Sequence, residues 1–257
     1  MVKVDFQSYS DYIYICKDCK CGKVYPLSIA EEYQYGDIFV KSRTECNTVL
    51  FWHYSGFAFL LGEYDEGFLK AVYDMVLDKD KMNPRRFILL SDERYIENYF
   101  RNKENVDIEC RYFFEYKNQN CNLNCDLPHN CELKAIDGRL LSEIQGRITP
   151  YFSWNNSEEF LAKGKGYCIL SDGNIAAWAF SAAISDDEID IGVETNERYQ
   201  HRGFAAIVSK AMIQYILEKN KIPVWACQYK NAASAKLARK IGFDKIGECA
   251  VIKRKEA

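Results

Sequence analysis

From Phe204 onward the apolar residues fall at 204, 207, 208, 211, 212, 215 and 216, the spacing of a helix that buries one side. The segment before it, EIDIGVE (188–194), alternates instead, with Ile189, Ile191 and Val193 set against Asp190, Gly192 and Glu194. A period of two predicts a strand that carries its carboxylates on one face. IPVWAC (222–227) follows as a continuous apolar run, a buried strand. Strand, helix and strand at this spacing form a right-handed crossover, so 188–194 and 222–227 are expected to run parallel.

The same reading orders the rest of the second half. ELKAI (132–136) predicts a short strand, and GRLLSEIQGRI (138–148) and NNSEEFLAKG (155–164) predict helices. Asn156 and Glu159 in the latter have the spacing of a capping box. GYCILSD and NIAAWAFSAA are strands separated by Asp172-Gly173, a hairpin signal. NAASAKLARKIG predicts a helix capped by Asn231 and stopped by Gly242, before a last strand, FDKIGECAVIK.

The first half repeats this order faintly. NTVLFWHY and GFAFLLGE flank Ser55-Gly56 as a hairpin, followed by helix EGFLKAVYDMVLD, strand RRFILLS, helix ERYIENYF and strand VDIECRYFFEY. It reads as a degenerate structural copy of the second half. The polar stretch KNQNCNLNCDLPHN (117–130) serves as the linker, giving domains over 1–125 and 126–257.

Composition narrows the class without naming an activity. A chain of 257 residues, 48% hydrophobic, can bury a sizeable core. A net charge of -3, with no local basic patch, argues against nucleic acid as a partner. The N-terminus lacks a secretory pattern, and the most apolar stretch, VLFWHYSGFAFLLG (49–62), is too short to span a bilayer as a helix. A cytoplasmic protein is expected, and with it eleven cysteines held as reduced thiols.

Candidate chemistry centres on YQHRGFAAIVSK (199–210), which lies at the carboxyl end of one predicted strand and at the start of a helix. A helix N-terminus offers backbone N–H groups without helical partners and a partial positive charge, and so attracts anions. Gly203 lets the backbone approach a phosphate, Ala205 keeps the first turn thin, and Gln200, His201 and Arg202 add donors. In the first half the corresponding stretch is GEYDEG, whose carboxylates would repel a phosphate.

Gln200-x-x-Gly203-x-Ala205 after a strand ending GVET resembles the acyl-CoA pyrophosphate loop of the GNAT superfamily of N-acetyltransferases. NAASAKLARKIGF, with Gly242 eleven positions after Asn231, is similar to that superfamily's second cofactor motif. SWNNSEEFLAKGKGYCILSDGNIAAWAFSA, IGVET and PVWACQYKNAASAKLARKIGF look like its zwittermicin-resistance-type subgroup, whose members carry an additional N-terminal half. The resemblance implies an α/β fold from about residue 132 to the C-terminus, a mixed central sheet with flanking helices. It further implies acetyl-CoA as acyl donor and a small amine as acceptor. Pantetheine would pair with the exposed backbone at Val193 and Thr195, the pyrophosphate would sit over Gln200, His201, Arg202, Gly203, Phe204 and Ala205, and Asn231 and Ser234 would close the other side.

Direct attack on a thioester needs a neutral amine, and an alkylamine is neutral in about one molecule in 10³ at pH 7, a penalty of roughly 4 kcal/mol. Glu194, at the carboxyl end of the cofactor strand, is the expected base, directly or through water. Asp190 shares its face but lies roughly 13 Å away at strand rise. A backbone N–H near Val193 or Glu194 could serve the oxyanion. Many superfamily members use a tyrosine seven residues after the motif asparagine as the acid, but that position here is Ala238, and Tyr229 is the substitute. Without the usual tyrosine, a non-catalytic acyl-CoA-binding or regulatory protein is the competing reading.

Other residues attract attention and are read as packing. Cys121, Cys125, His129 and Cys131 lack the spacing of common zinc sites. CKDCKC (16–21) has no histidine nearby. Cys227 is expected as a buried small hydrophobe, His53 as core or cleft lining, and Trp154, Trp178 and Trp225 as packing, with an aromatic near the strand ends able to border the acceptor pocket.

Overall fold

A computed structural model describes residues 1–77, 85–117, 121–124 and 126–255. In chain order the elements are β1 (Val2–Lys3), a 3-10 segment (Phe6–Tyr12), α1 (Ile13–Cys16), α2 (Val24–Ala30), β2 (Gly36–Val40), β3 (Thr48–His53) and β4 (Phe57–Gly62). Then come α3 (Glu66–Leu77), β5 (Ile88–Ser91), α4 (Arg94–Arg101), β6 (Val106–Tyr116), β7 (Cys131–Ala135), α5 (Gly138–Glu143), a 3-10 turn (Pro150–Phe152) and α6 (Ser157–Lys163). The chain closes with β8 (Gly166–Ser171), β9 (Asn174–Ile184), β10 (Glu188–Thr195), a 3-10 turn (Glu197–Tyr199), α7 (Phe204–Glu218), β11 (Ile222–Gln228), α8 (Ala232–Lys240) and β12 (Phe243–Arg254). This is the mixed α/β sheet with flanking helices that the sequence predicts.

Two compact units share these elements. One takes residues 1–113, 227–230 and 247 onward, the other 114–226 and 231–246. In the first, β1 to β4 pair antiparallel in succession, β4 and β5 pair parallel across α3, and β5 pairs antiparallel with the end of β12, Ala250 opposite Ser91. Leu50, Leu60, Leu69, Leu89, Phe100 and Ile252 meet in one core there. His53 is fully buried; its Nδ1 accepts the Ser55 N–H at 3.1 Å and lies 2.9 Å from the Ser55 hydroxyl.

In the second unit β7, β8, β9 and β10 pair antiparallel in succession, and β10 and β11 pair parallel across α7. The turn at Asp172-Gly173 has both residues at positive φ, 50° and 80°, as a two-residue hairpin of this chemistry requires. α7 lies against β8, β9 and β10, and its fully buried Met212, Ile213 and Ile216 each contribute roughly 1.5–3 kcal/mol of apolar transfer. Asn156 caps α6 through the Glu159 N–H at 2.8 Å, but Glu159 Oε2 has no partner among the described residues, so only the forward half of the capping box forms there.

One predicted helix is much shorter than its pattern. The expectation over 138–148 is met only by Gly138–Glu143, capped by Asp137 through the Leu140 N–H at 2.8 Å, and Ile144 is already extended. The remainder, Gln145 to Ile148, is a loop with another use. The first-half elements α1, α2 and β2 have no counterpart among the predicted ones.

Candidate functional site

β10 and β11 stay in register from Glu188↔Ile222 to Asp190↔Val224 and no further, although β10 continues to Thr195 and β11 to Gln228. β10 keeps its other neighbour throughout, ending Glu194↔Trp178 and Thr195↔Ala177 on β9. The one irregularity is between Asp190 and Ile191, where β9 holds an extra residue, Ala182. Asn196 N–H reaches the Ala176 carbonyl on β9 at 2.9 Å, and the Asp187 carbonyl accepts the N–H of Ile222 on the opposite side at 2.8 Å. Strand backbone alternates, so the peptide groups of Val193 and Thr195 point away from β9, along the edge where pairing with β11 has ended. The Glu194 N–H, by the same alternation, points to β9.

Past Thr195 the chain makes one tight turn, with the Asn196 side chain accepting the Arg198 N–H at 3.1 Å, and enters the glycine loop. His201 and Gly203 are both left-handed, at φ 63° and 81°. Gly203 is the N-cap of α7 and supplies no side-chain cap. A Cβ built there would meet nothing within 4 Å. Among the described residues, the N–H groups of 201 to 205 have no acceptor. Gln200, His201 and Arg202 are exposed, with the Arg202 guanidinium 5.3 Å over the Tyr199 ring, while Phe204 turns into the core. Free donors, a helix terminus and a basic rim are the features of a candidate anion cradle.

Glu194 is half-buried, and its Oε2 accepts the Ile148 N–H at 2.5 Å. Trp178, opposite it on β9 and 1% exposed, donates its indole N–H to the Ile148 carbonyl at 2.8 Å. Gly146 passes so close that an added Cβ would lie 2.6 Å from both Glu194 Oε2 and Trp178 Cζ2. Sequence reasoning missed the roles of Gly146, Ile148 and Trp178. The signal available was a glycine inside a helical pattern.

On α8, Asn231 Oδ1 accepts the Ser234 N–H at 3.1 Å, and Ser234 Oγ accepts the Trp225 indole N–H, also at 3.1 Å. Ala238 is fully buried, so that position presents no side chain to a ligand. Tyr229 belongs to the first unit, 59% exposed, with its N–H on the Cys110 carbonyl at 2.9 Å and its ring edge-on to Tyr112 at 5.5 Å.

Among the described residues no group of three or more His, Cys, Asp or Glu is arranged to hold a metal ion, and Cys125 lies outside those residues. The ten described cysteines are free thiols. Burial pushes the thiols of Cys16 and Cys249 far up and that of Cys21 to about 11. Cys227 is buried, as are Trp154 and Trp225. No helix of the described residues is long and apolar enough to cross a membrane.

Comparison with known proteins gives these features a family. The chain is 24% identical over 241 residues, 90% of each chain, to the uncharacterized N-acetyltransferase YdfB of Bacillus subtilis. Its fold matches a GCN5-related N-acetyltransferase-like protein from Streptococcus suis with a TM-score of 0.74, at 22% identity and covering 98% of this chain and 100% of that one. A tandem GNAT protein from the clavulanic acid biosynthesis pathway matches with a TM-score of 0.63 at 11% identity, over 100% of this chain and 98% of that one. The profile of the GNAT acetyltransferases matches residues 24–252, so the chain belongs to that family of N-acetyltransferases.

Proposed function

We propose that the protein is a cytoplasmic enzyme whose second unit moves an acetyl group from acetyl-CoA to the amine of a small molecule by direct attack. The observation that carries this reading is the end of β10–β11 pairing at Asp190↔Val224, which leaves the peptide groups of Val193 and Thr195 facing away from β9 just before the anion cradle. An amide-bearing pantetheine arm fits an exposed strand edge, and a pyrophosphate fits the free N–H groups of 201 to 205 with Gln200, His201 and Arg202 around it and the first turn, Phe204 and Ala205, beneath. Asn231 and Ser234 complete the cofactor set. A helix terminus contributes roughly 0.3–2 kcal/mol per anion. Micromolar binding needs about 8 kcal/mol, so strand edge and cradle are required together.

When bound, acetyl-CoA supplies the thioester: the amine nitrogen bonds to its carbonyl carbon as the C–S bond breaks and the electron pair leaves on sulfur. Glu194 takes the proton the amine must lose. Its Oε2 is engaged by Ile148, whereas Oε1 has no partner among the described residues and is the oxygen assigned to the proton. The Val193 N–H is the donor assigned to the oxyanion. Tyr229 is assigned as proton donor to the departing sulfur.

The first unit is read as a degenerate copy. Its order, four antiparallel strands and a parallel crossover through α3, is that of β7 to β11 with α7. The start of α3 is capped by its own carboxylate, Asp65, which accepts the Phe68 N–H at 2.8 Å and pairs with Lys41 at 2.9 Å. A small-molecule acceptor rests on the subgroup resemblance. The buried Ala238 favours one competing reading, an acyl-CoA binder without catalysis. Calorimetry with acetyl-CoA, followed by a thiol-release screen over primary amines, decides between them. Heat with release establishes the transferase, heat without release on any amine establishes the binder, and no heat removes both.

A further inference from the structure

Among the described residues, the hydrogen bonds that tie the loop between α5 and the Pro150–Phe152 turn to the sheet run through Ile148 alone. In an antiparallel ladder a residue can exchange both its N–H and its C=O with the residue opposite. Ile148 spends the same two groups on side chains, its N–H on Glu194 Oε2 and its C=O on the Trp178 indole N–H. Glu194 and Trp178 are themselves directly opposite on β10 and β9, so they stand on one face with Cβ atoms roughly 4.5–5.5 Å apart. Gly146 touches both, and no larger residue fits without displacing the carboxylate or the indole.

A glutamate has three side-chain torsions, and a half-buried one at a strand end sweeps a wide arc unless something holds it. Here one oxygen is fixed by a backbone N–H, the backbone that bears it is fixed by a buried indole, and the approach is closed by a glycine. We propose that Trp178 and Gly146 are positioning residues for the base: acting through Ile148, they hold the Glu194 carboxylate with Oε2 engaged and Oε1 presented to the acceptor amine. The inference rests on the reading of Glu194 as the base.

The test measures the wild type, Glu194→Gln, Trp178→Phe, Gly146→Ala and the Trp178→Phe/Glu194→Gln double variant. Acetyl-CoA affinity is read by calorimetry. kcat and KM are read by thiol release with the fastest amine from a panel of a polyamine, an aminoglycoside, a phenethylamine and an amino-acid amide. Trp178→Phe keeps an aromatic ring in the core but removes the indole donor together with part of the buried volume, so Gly146→Ala, which leaves the tryptophan whole, is measured beside it. Expected are a fall in kcat of about 10- to 100-fold in Trp178→Phe and Gly146→Ala, as for a misplaced catalytic group. Acetyl-CoA affinity and the amine KM stay near the wild-type values, and Trp178→Phe has little further effect once Glu194 is Gln. Equal losses from Trp178→Phe in both backgrounds would overturn the proposal, because the tryptophan would then act independently of Glu194. An unchanged kcat in Glu194→Gln alone overturns the base assignment itself, and the positioning role with it.

The linkage also has a readout that needs no amine. The Trp178 indole ¹⁵N–¹H resonance is expected to shift in Glu194→Ala and in Gly146→Ala, because both release Ile148. A resonance that stays in place in both variants refutes the clamp. Gly146→Ala, in an exposed loop, keeps the proposal testable if Trp178→Phe fails to fold.

Discussion

Replacing Gly203 by Asp separates an anion cradle from an ordinary helix start. The residue is at φ 81°, and a Cβ there meets no atom within 4 Å, so the side chain enters without collision. What remains for folding is the left-handed backbone, roughly 1–2 kcal/mol for a residue other than glycine, with Asp toward the lower end. For a chain of this length that corresponds to a fall in Tm of about 2–8 °C. Binding suffers more. A carboxylate about 5 Å from a phosphate, at an effective dielectric near 20, costs about 3 kcal/mol, or over 100-fold in Kd. Gly203→Ala carries the strain without the charge and is the control. Calorimetry with acetyl-CoA should show Gly203→Ala weakened less than about 10-fold and Gly203→Asp more than about 100-fold. The Asp deficit should ease in low-pH buffer as its carboxylate protonates. If Gly203→Asp binds within about threefold of Gly203→Ala, no phosphate lies near these N–H groups and the cradle is refuted.

Three further outcomes are expected. Glu194→Gln keeps acetyl-CoA affinity and lowers kcat about 10²- to 10⁴-fold, measured by thiol release; an unchanged rate would show that another group takes the proton. Tyr229→Phe slows the same assay by about 10-fold or more if its hydroxyl protonates the departing sulfur, and leaves it unchanged if water does so. His53 is fully buried, and desolvation, aided by the Arg85 charge, lowers its pKa to about 3. Its unfolded value is about 6.5, so its contribution to stability is complete above that pH and is lost as the pH falls toward 3. Urea unfolding should show the wild type losing about 2 kcal/mol more than His53→Gln between pH 7 and pH 5, and equal losses in both would contradict a neutral buried imidazole.

The parts of the fold legible in the sequence are those set by local repetition. The period of α7, the alternation of β10 and the Asp172-Gly173 turn each depend on neighbours a few residues apart, and all three stand where the pattern puts them. The backbone of the candidate site was legible to the same depth, because its left-handed Gly203 and the helix start that follows belong to one short run. Pairing between distant segments leaves no such trace, and the pattern of FDKIGECAVIK contains nothing that sets its end beside β5. α5 failed for a related reason. Its pattern continues past Glu143, but Ile148 satisfies its backbone on Glu194 and Trp178, which lie far away in sequence. Gly146 was the local sign of that competition.

The place of β12 also orders the protein's birth. β5 in the first unit has the end of β12 as a hydrogen-bonded neighbour, with Val251 opposite Leu90 and Ile252 opposite Leu89. Chains emerge at about 5–20 residues per second, so the first unit waits on the order of ten seconds for the strand that completes it. Throughout that interval an apolar strand edge is open to other nascent chains. The unit begun first therefore waits for a strand made after most of the second, and a ribosome that stalls before Ala250 leaves both its sheet and its core unfinished.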